Sequence, residues 1–337
     1  MIFAPGFNLP EALDLVTLCA MIEGHSGLPQ PAGWSLVFDS PEIPPFTEKW
    51  QLWQNASGAY AIVIRGTVPE PGSIIEDIIS FLARAGGSVT IGPYHYDYKF
   101  AAGPHASVHA GFALGALLLL KEPANGILAQ LAAKVPAGSQ IYVTGHSQGA
   151  AVGTLLRSYF RYAPDRPERN YSYKTYVFAQ PKPGNDHYAQ DFQSAFSNPG
   201  LAFRVTNSLD WVPQVPFTIE IASDINTPNP LSTLPLLSSM MLKTLTGIGT
   251  EARKLIADRV KSHLKAKEIA LARVLAPGAA PELLSAGFDI PAAPSLNFAN
   301  AGAEISLIGT PCSGAECEDA FFEHHASTYF ALMKAQL

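Results

Sequence analysis

The pattern of apolar and polar positions predicts short buried strands that alternate with helices. Residues 11–22 carry apolar side chains at helical spacing and predict a first amphipathic helix. Short apolar segments near 34–38, 50–54 and 59–65 predict the first strands, and the last of them is almost wholly apolar. A continuous apolar segment is typical of a strand that is covered on both faces.

The second half of the chain continues this alternation. Strands are predicted at 141–144, 174–179 and 201–206, and the segments between them are long enough for crossover helices. Such an order predicts an α/β fold, with a mainly parallel sheet, helices on both faces and a single domain over residues 1–337. Ligands of these sheets bind beyond the carboxyl ends of the strands.

The strand at 141–144 leads directly into Gly145-His146-Ser147-Gln148-Gly149, and a run of small residues follows. The order strand, G-x-S-x-G turn, helix is typical of a nucleophile elbow and makes Ser147 the candidate nucleophile. Glycines on either side let the strand and the helix approach closely, because neither has a Cβ. The alternative is a glycine-rich turn with a capping serine.

A serine hydroxyl needs a base, and the base needs an orienting carboxylate. In hydrolases whose serine lies on a nucleophile elbow, the order along the chain is Ser, then Asp or Glu, then His. The best acid candidate is Asp210, on the loop that leaves the strand at 201–206. The alternative role for this aspartate is that of an ordinary Asx-turn residue.

Four histidines follow Ser147 in the chain. His187 precedes Asp210, so the expected order excludes it, and His263 lies midway along a charged predicted helix. His324 and His325 therefore remain as candidate bases, and this elimination does not choose between them.

A zinc site is the rival hypothesis for the two histidines. Cys312, Cys317, His324 and His325 lie within a short segment and all four are zinc-ligand types. Adjacent histidines do not match the usual spacing of zinc ligands, however. The sequence therefore predicts no metal.

Composition narrows the remaining function classes. Hydrophobic residues make up 47% of the chain and charged residues 15%, with a net charge of −6, which argues against nucleic-acid binding. The longest apolar run, at 113–120, ends at Lys121 and is too short to span a membrane. Near the N-terminus there is no basic region, and Glu11 and Asp14 interrupt the apolar positions, so no signal peptide is expected. A cytoplasmic protein, or one exported without a signal peptide, is the resulting expectation.

Residues 69–87 are a candidate lid. Ser73 to Glu76 form a capping box, Gly86 and Gly87 end the predicted helix, and the apolar residues of one face are Ile74, Ile75, Ile78, Ile79 and Leu82. The helix either covers an apolar site and opens at a lipid surface, or is an ordinary surface helix.

Residues 231–290 form a predicted helical insertion. Its long helix, from about 251 to 275, carries seven basic residues against three acidic ones. Such a helix either binds an anionic membrane surface or presents a solvated face.

Five separated motifs resemble those of the class 3 lipases, which include fungal triacylglycerol lipases and plant phospholipases A1. The motifs are Ile64-Arg65-Gly66-Thr67, Val108-His109-Ala110-Gly111-Phe112, Gly145 to Gly149, Phe178 to Asn185, and Arg204 to Pro213. They cover the chain from about residue 60 to 217, and the insertion at 231–290 departs from the family pattern.

The resemblance implies an α/β-hydrolase fold and roles for particular residues. Thr67 corresponds to the family's oxyanion-hole residue, and its backbone N–H would act with that of Gln148. In many members the catalytic histidine precedes a tyrosine by five positions, which selects His324 with Tyr329. Shorter spacings in other members would favour His325.

The implied activity is triacylglycerol hydrolysis through an acyl-enzyme, without a metal or organic cofactor. The expected partners are a lipid or ester substrate and a lipid–water interface, and the oligomeric state is left open. A phospholipase A1 or a short-chain carboxylesterase would use the same three residues. A catalytically silent interaction protein with a lipase-like fold is the third alternative.

Overall fold

The computed structural model describes residues 2–24, 27–43, 48–66, 82–91, 94–218, 224, 226, 293, 295–311 and 318–337. Their strands are β1 (Trp34–Asp39), β2 (Trp50–Asn55), β3 (Tyr60–Ile64), β4 (Leu82–Arg84), β5 (Gly86–Ile91), β6 (Tyr94–Lys99), β7 (Ser107–His109), β8 (Gln140–His146), β9 (Ser172–Phe178), β10 (Gly184–Asn185), β11 (Ala202–Asn207), β12 (Phe298–Ala299) and β13 (Ala303–Leu307). The α-helices are α1 (Leu9–Ile22), α2 (Ala110–Lys121), α3 (Ile127–Lys134), α4 (Gln148–Tyr162), α5 (Asp186–Phe192) and α6 (Ala326–Gln336).

Within the described residues, a seven-stranded sheet has the order β1-β2-β3-β8-β9-β11-β13. The first three strands pair antiparallel, and every pairing from β3 to β13 is parallel. All six strands predicted for this sheet are confirmed within one or two residues. The mainly parallel order and the helices on both faces confirm the predicted α/β-hydrolase architecture.

Helices cover both faces of this sheet because each face carries a continuous apolar surface. On one face the buried side chains of α2, α3, α4 and α5 pack into a single cluster with β2, β3 and β8. On the other face α1 and α6 pack against the same sheet. The predicted first helix is confirmed; its N-cap is Asn8, whose side chain accepts a hydrogen bond from the backbone N–H of Glu11.

The last part of the predicted lid helix is wrong, because its residues form a strand of a second sheet. The strand order of this sheet is β12-β10-β7-β4. The sequence pattern extends that helix through Leu82 and Arg84 to the two glycines at 86 and 87. Instead, Leu82–Arg84 pair antiparallel with Ser107–His109, and the next strand begins at Gly86. Leu82 and Ala83 are completely buried, and this burial in a sheet prevails over the helical spacing of the isoleucines before them.

Several other predicted features lie outside the described residues. These are Thr67, residues 69–81 of the candidate lid, the insertion at 231–290, and both Cys312 and Cys317. In the part of the chain that is described, no helix is long and apolar enough to cross a membrane.

Candidate active site

Ser147 lies at the turn between the end of β8 and the start of α4. Its backbone angles are φ 58° and ψ −130°, which are uncommon for a residue with a side chain. Such a conformation costs about 1–3 kcal/mol and persists only where the surroundings impose it. One such constraint is the backbone N–H of Ser147, which donates to the carbonyl oxygen of Phe178 on β9 at 3.0 Å. The sharp strand-to-helix turn predicted from the sequence is confirmed.

The two glycines of this turn are required by close backbone approach. A Cβ at Gly145 would lie 2.1 Å from the carbonyl oxygen of Gly149. One at Gly149 would lie 2.4 Å from the carbonyl oxygen of Ile64 on β3. Any side chain at either position would therefore displace the elbow, which agrees with the reason given for these glycines from the sequence.

The structure brings three of the predicted site residues into one line of hydrogen bonds. The Oγ of Ser147 is 2.9 Å from Nε2 of His324, and Nδ1 of His324 is 2.8 Å from Oδ2 of Asp210. Because a carboxylate only accepts, Nδ1 carries the proton and Nε2 is free to accept from the serine hydroxyl. This arrangement can withdraw a proton from Ser147.

Asp210 is fixed by more than the histidine. Its Oδ2 also accepts from the hydroxyl of Tyr329 at 2.7 Å, and its Oδ1 accepts from the backbone N–H of Val212 at 2.9 Å. The bond to Val212 is the Asx turn that the sequence offered as an alternative role. The same carboxylate therefore forms this turn and binds His324, and its side chain is fully buried.

The surroundings of His324 favour its neutral form. The ring is buried, and this burial lowers its pKa although the neighbouring Asp210 carboxylate acts in the opposite direction. A neutral imidazole has a free nitrogen lone pair, which a general base requires.

His325, the rival base, faces away from this line. Its Nε2 lies 2.7 Å from Oδ2 of Asp319, and about a third of its side chain, 34%, is exposed. The two adjacent histidines therefore bind two different carboxylates, which also separates two of the side chains that the zinc hypothesis requires together. Among the described residues, no group of three or more His, Cys, Asp or Glu side chains could hold a metal ion.

A second buried histidine, His146, was not identified as a site residue from the sequence. Its Nδ1 is 3.0 Å from Oε1 of Glu23, and its Nε2 is 2.7 Å from the carbonyl oxygen of His324. His146 is visible in the sequence as the residue before the nucleophile. Glu23 is 123 positions away, and no sequence signal links the two.

The predicted oxyanion-hole residues are only partly described. Gln148 begins α4, where the first backbone N–H groups have no partner within the helix. Its side chain points elsewhere, since Nε2 donates to Oε1 of Glu48 at 3.4 Å. Gly66, which directly precedes Thr67, packs so closely that an added Cβ would lie 3.3 Å from Cβ of Ser147.

Two other motif segments, at 108–112 and 178–185, are joined to each other by strand pairing. Gly184 pairs with Val108, and a Cβ at Gly184 would lie 2.5 Å from the carbonyl oxygen of Ser107. Oδ1 of Asn185 accepts from the backbone N–H groups of Ser107 and Tyr188, both at 2.9 Å. These motifs therefore join β7, β10 and α5.

Comparison with known proteins finds matches to lipases over part of the chain. Residues 61–220 match the family Lipase (class 3). A relative from Fusarium solani, secreted mono- and diacylglycerol lipase 1, is 32% identical over 111 residues, which are 32% of this chain and 29% of that protein. The chain therefore matches less than a third of the length of this curated relative.

Solved lipase structures also resemble parts of the chain. Lip2 lipase from Yarrowia lipolytica has 18% identity and a TM-score of 0.47, with 64% of this chain and 78% of that one covered. Lipase II from Rhizopus niveus has 20% identity and a TM-score of 0.43, with 62% and 72% covered.

The segment that matches the family contains Ser147 and Asp210 together with the motifs that surround them. Its strand-turn-helix elbow is the feature that the sequence motif of the family predicts. By this match, residues 61–220, a little under half of the chain, are similar to the class 3 lipase family.

Proposed function

We propose that this protein hydrolyses carboxylic esters of acyl lipids, with Ser147 as nucleophile and His324 as general base. The observation that carries the proposal is the continuous line of hydrogen bonds from Ser147 through His324 to Asp210. Each residue in the line faces a partner of the complementary type, which is the arrangement that activates a serine hydroxyl.

Acylation follows from this geometry. The Oγ of Ser147 attacks the ester carbonyl carbon while its proton passes to Nε2 of His324. Asp210 accepts the Nδ1–H bond and stabilises the imidazolium that forms. The tetrahedral intermediate then collapses, the imidazolium protonates the leaving alcohol oxygen, and an acyl-serine remains.

Deacylation uses the same groups with water in place of the alcohol. His324 takes a proton from a water molecule, which attacks the acyl-serine carbonyl carbon. Collapse of the second tetrahedral intermediate returns the proton to Oγ of Ser147 and releases the fatty acid. Neither half of the reaction needs a metal or an organic cofactor.

Backbone N–H groups of Thr67 and Gln148 are proposed to hold the oxyanion. The position of Gln148 at the first turn of α4 supports this role, because its N–H and the helix dipole both favour negative charge there. The close packing of Gly66 against Ser147 supports a role for the next residue, Thr67.

Acyl lipids are the proposed substrate class. The Fusarium solani relative is named for mono- and diacylglycerols, and the family match extends over the segment that carries Ser147. A phospholipase A1 and a short-chain carboxylesterase remain alternatives with the same chemistry. Hydrolysis rates for p-nitrophenyl esters from acetate to palmitate, beside emulsified triacylglycerol and a phospholipid, distinguish the three.

Labelling with a fluorophosphonate tests the proposal directly. The wild-type protein should gain one phosphonyl group on Ser147 and lose ester hydrolysis in parallel. The Ser147→Ala variant should not be labelled and should be inactive before the reagent is added. A protein that is folded yet neither labelled nor active would instead be the catalytically silent member of the family. Rates measured through the solubility limit of a short triacylglycerol test the proposed lipid–water interface.

A further inference from the structure

The ring of His146 is buried between two hydrogen-bond acceptors. Nε2 lies 2.7 Å from the backbone carbonyl oxygen of His324, and Nδ1 lies 3.0 Å from the Glu23 carboxylate. The exposed fractions of the two side chains are 4% and 8%, so solvent does not replace either contact. Both nitrogens of this ring are therefore committed within the protein.

These contacts fix where the protons are. A carbonyl oxygen can only accept, so Nε2 must carry a hydrogen. A second hydrogen must lie between Nδ1 and the carboxylate, because a bare nitrogen lone pair facing an ionised carboxylate would be repelled. Placed on Nδ1, this hydrogen makes the ring doubly protonated beside the Glu23 carboxylate. Burial of the ring opposes its charged form, yet the Glu23 carboxylate and the His324 carbonyl raise the pKa of His146 above its usual value.

The position of His146 gives these bonds a mechanical consequence. It is the last residue of β8 and directly precedes Ser147, so its bond to the His324 carbonyl joins the strand of the nucleophile to the backbone of the base. His324 ends a single turn of 3₁₀ helix, which has little rigidity of its own. The carbonyl oxygen of Glu323, the residue before His324, accepts a hydrogen bond from Nδ2 of Asn207 at the end of β11, at 2.9 Å.

We propose that His146, protonated and held by Glu23, is a positioning residue that fixes the backbone of His324 and thereby sets the distance between Ser147 and His324. This inference rests on the proposed function, since it concerns the same base. The groups that face His146 are Glu23 at the C-cap of α1, His324 and Asp210 at the site, and Tyr329 on α6.

Two substitutions separate the bond to His324 from the rest of the ring. In His146→Gln the amide nitrogen reaches the place of Nε2 and can still donate to the His324 carbonyl. In His146→Asn the shorter amide ends near the place of Nδ1 and cannot. A displacement of about 1 Å in a catalytic group costs on the order of 100-fold in rate. We therefore expect kcat to fall on the order of 100-fold in His146→Asn and less than tenfold in His146→Gln, with KM unchanged in both.

Each variant is also made together with Glu23→Gln, which removes the carboxylate that would otherwise stay buried without the ring. His325→Gln is the matched control, because that histidine binds Asp319 and does not touch the site. The pH profile provides a readout that a purely structural defect would not produce. The charge of His146 lowers the pKa of His324. Its removal should therefore move the acid limb of kcat/KM to higher pH in both variants.

Equal kcat in the wild type and both variants would overturn the inference, as would equal losses in the Gln and Asn variants. Labelling and turnover of the wild type are measured first, so that failure of the proposed function is recognised separately. If the wild type is inert, the ring resonances of His324 in NMR spectra decide instead. They should move in His146→Asn and stay near their wild-type positions in His146→Gln, whereas unchanged resonances in both would contradict the positioning role.

Discussion

Two buried histidine–carboxylate pairs lie side by side in this protein and have opposite properties. His324 binds Asp210 at 2.8 Å and His146 binds Glu23 at 3.0 Å, and the two ring centroids are 4.7 Å apart. Burial lowers the pKa of His324 despite Asp210. Burial acts on His146 in the same direction, but Glu23 and the His324 carbonyl outweigh it and raise the pKa of that ring.

The second hydrogen-bond partner of each ring, besides the carboxylate, accounts for the difference. His324 faces a serine hydroxyl, which can donate, so a neutral ring satisfies every contact. His146 faces a carbonyl oxygen, which can only accept, so Nε2 must keep its proton and cannot act as a base. A histidine beside a carboxylate is therefore not by itself a candidate base. The atom on the other side of the ring decides whether it can accept a proton.

The largest expected effect is the loss of the base. His324→Asn should lower kcat by about 10⁵–10⁶-fold, as expected when one member of a cooperating set is removed. His325→Asn should retain most of the activity, because that ring binds an exposed aspartate. Ester hydrolysis by the two purified, folded variants is the measurement. The reverse result would transfer the role of base to His325.

Replacing each carboxylate with its amide tests the comparison next. Asp210→Asn should lower kcat by about 10⁴-fold, because the amide favours the wrong tautomer of His324. In Glu23→Gln, a neutral His146 can still donate to the His324 carbonyl while accepting from the new amide. We expect a loss of less than about tenfold there, a small fraction of the Asp210 effect. Comparable losses in the two variants would remove the distinction between the pairs.

A smaller effect is expected where a neighbour holds the Asp210 carboxylate. Tyr329→Phe removes the hydroxyl that donates to Oδ2 and accepts from the backbone N–H of Asn207. The free energy of unfolding should fall by about 1–3 kcal/mol, since one bond of this pair involves a charged group and the other leaves a buried donor unpaired. Chemical denaturation measures this change, and an unaltered midpoint would show that neither bond contributes.

The pH dependence of stability should also differ in sign between the pairs. The raised pKa of His146 gives a stabilisation that is complete below its unfolded value of 6.5 and is lost as the pH rises through the folded value. The lowered pKa of His324 gives one that is present above 6.5 and is lost as the pH falls through the folded value. Unfolding free energies of the wild type, His146→Gln and His324→Gln, measured across this range, should diverge in opposite directions. Parallel curves would contradict the assignment.

Most of the central sheet could be predicted because its strands are short apolar segments between clear turns. The edge strand β13 was missed, since Ala303–Leu307 alternate between partly exposed and exposed positions before a single buried leucine. The helix predicted for the lid was wrong at Leu82–Arg84, which form a strand. The helical spacing of the preceding isoleucines gives no information about pairing with β7. Long-range strand pairing has no local sequence signature.

The hydrogen-bonded line of Ser147, His324 and Asp210 could be predicted from the sequence for a different reason. The elbow is a local motif, and the order of the acid and the histidine along the chain restricts the remaining choices. The spacing from His324 to Tyr329 has a physical basis, because the tyrosine hydroxyl binds the same carboxylate oxygen as the histidine. Glu23 could not be found, since only the folded chain brings the end of α1 to His146.

The most direct test of this account is the protonation state of the two rings, measured by long-range ¹H–¹⁵N NMR correlation at a pH near 6.5, with His146→Gln and His324→Gln to assign the signals. We predict that both nitrogens of His146 carry protons there, whereas His324 is neutral with its proton on Nδ1. A neutral His146 together with a protonated His324 at that pH would contradict the account.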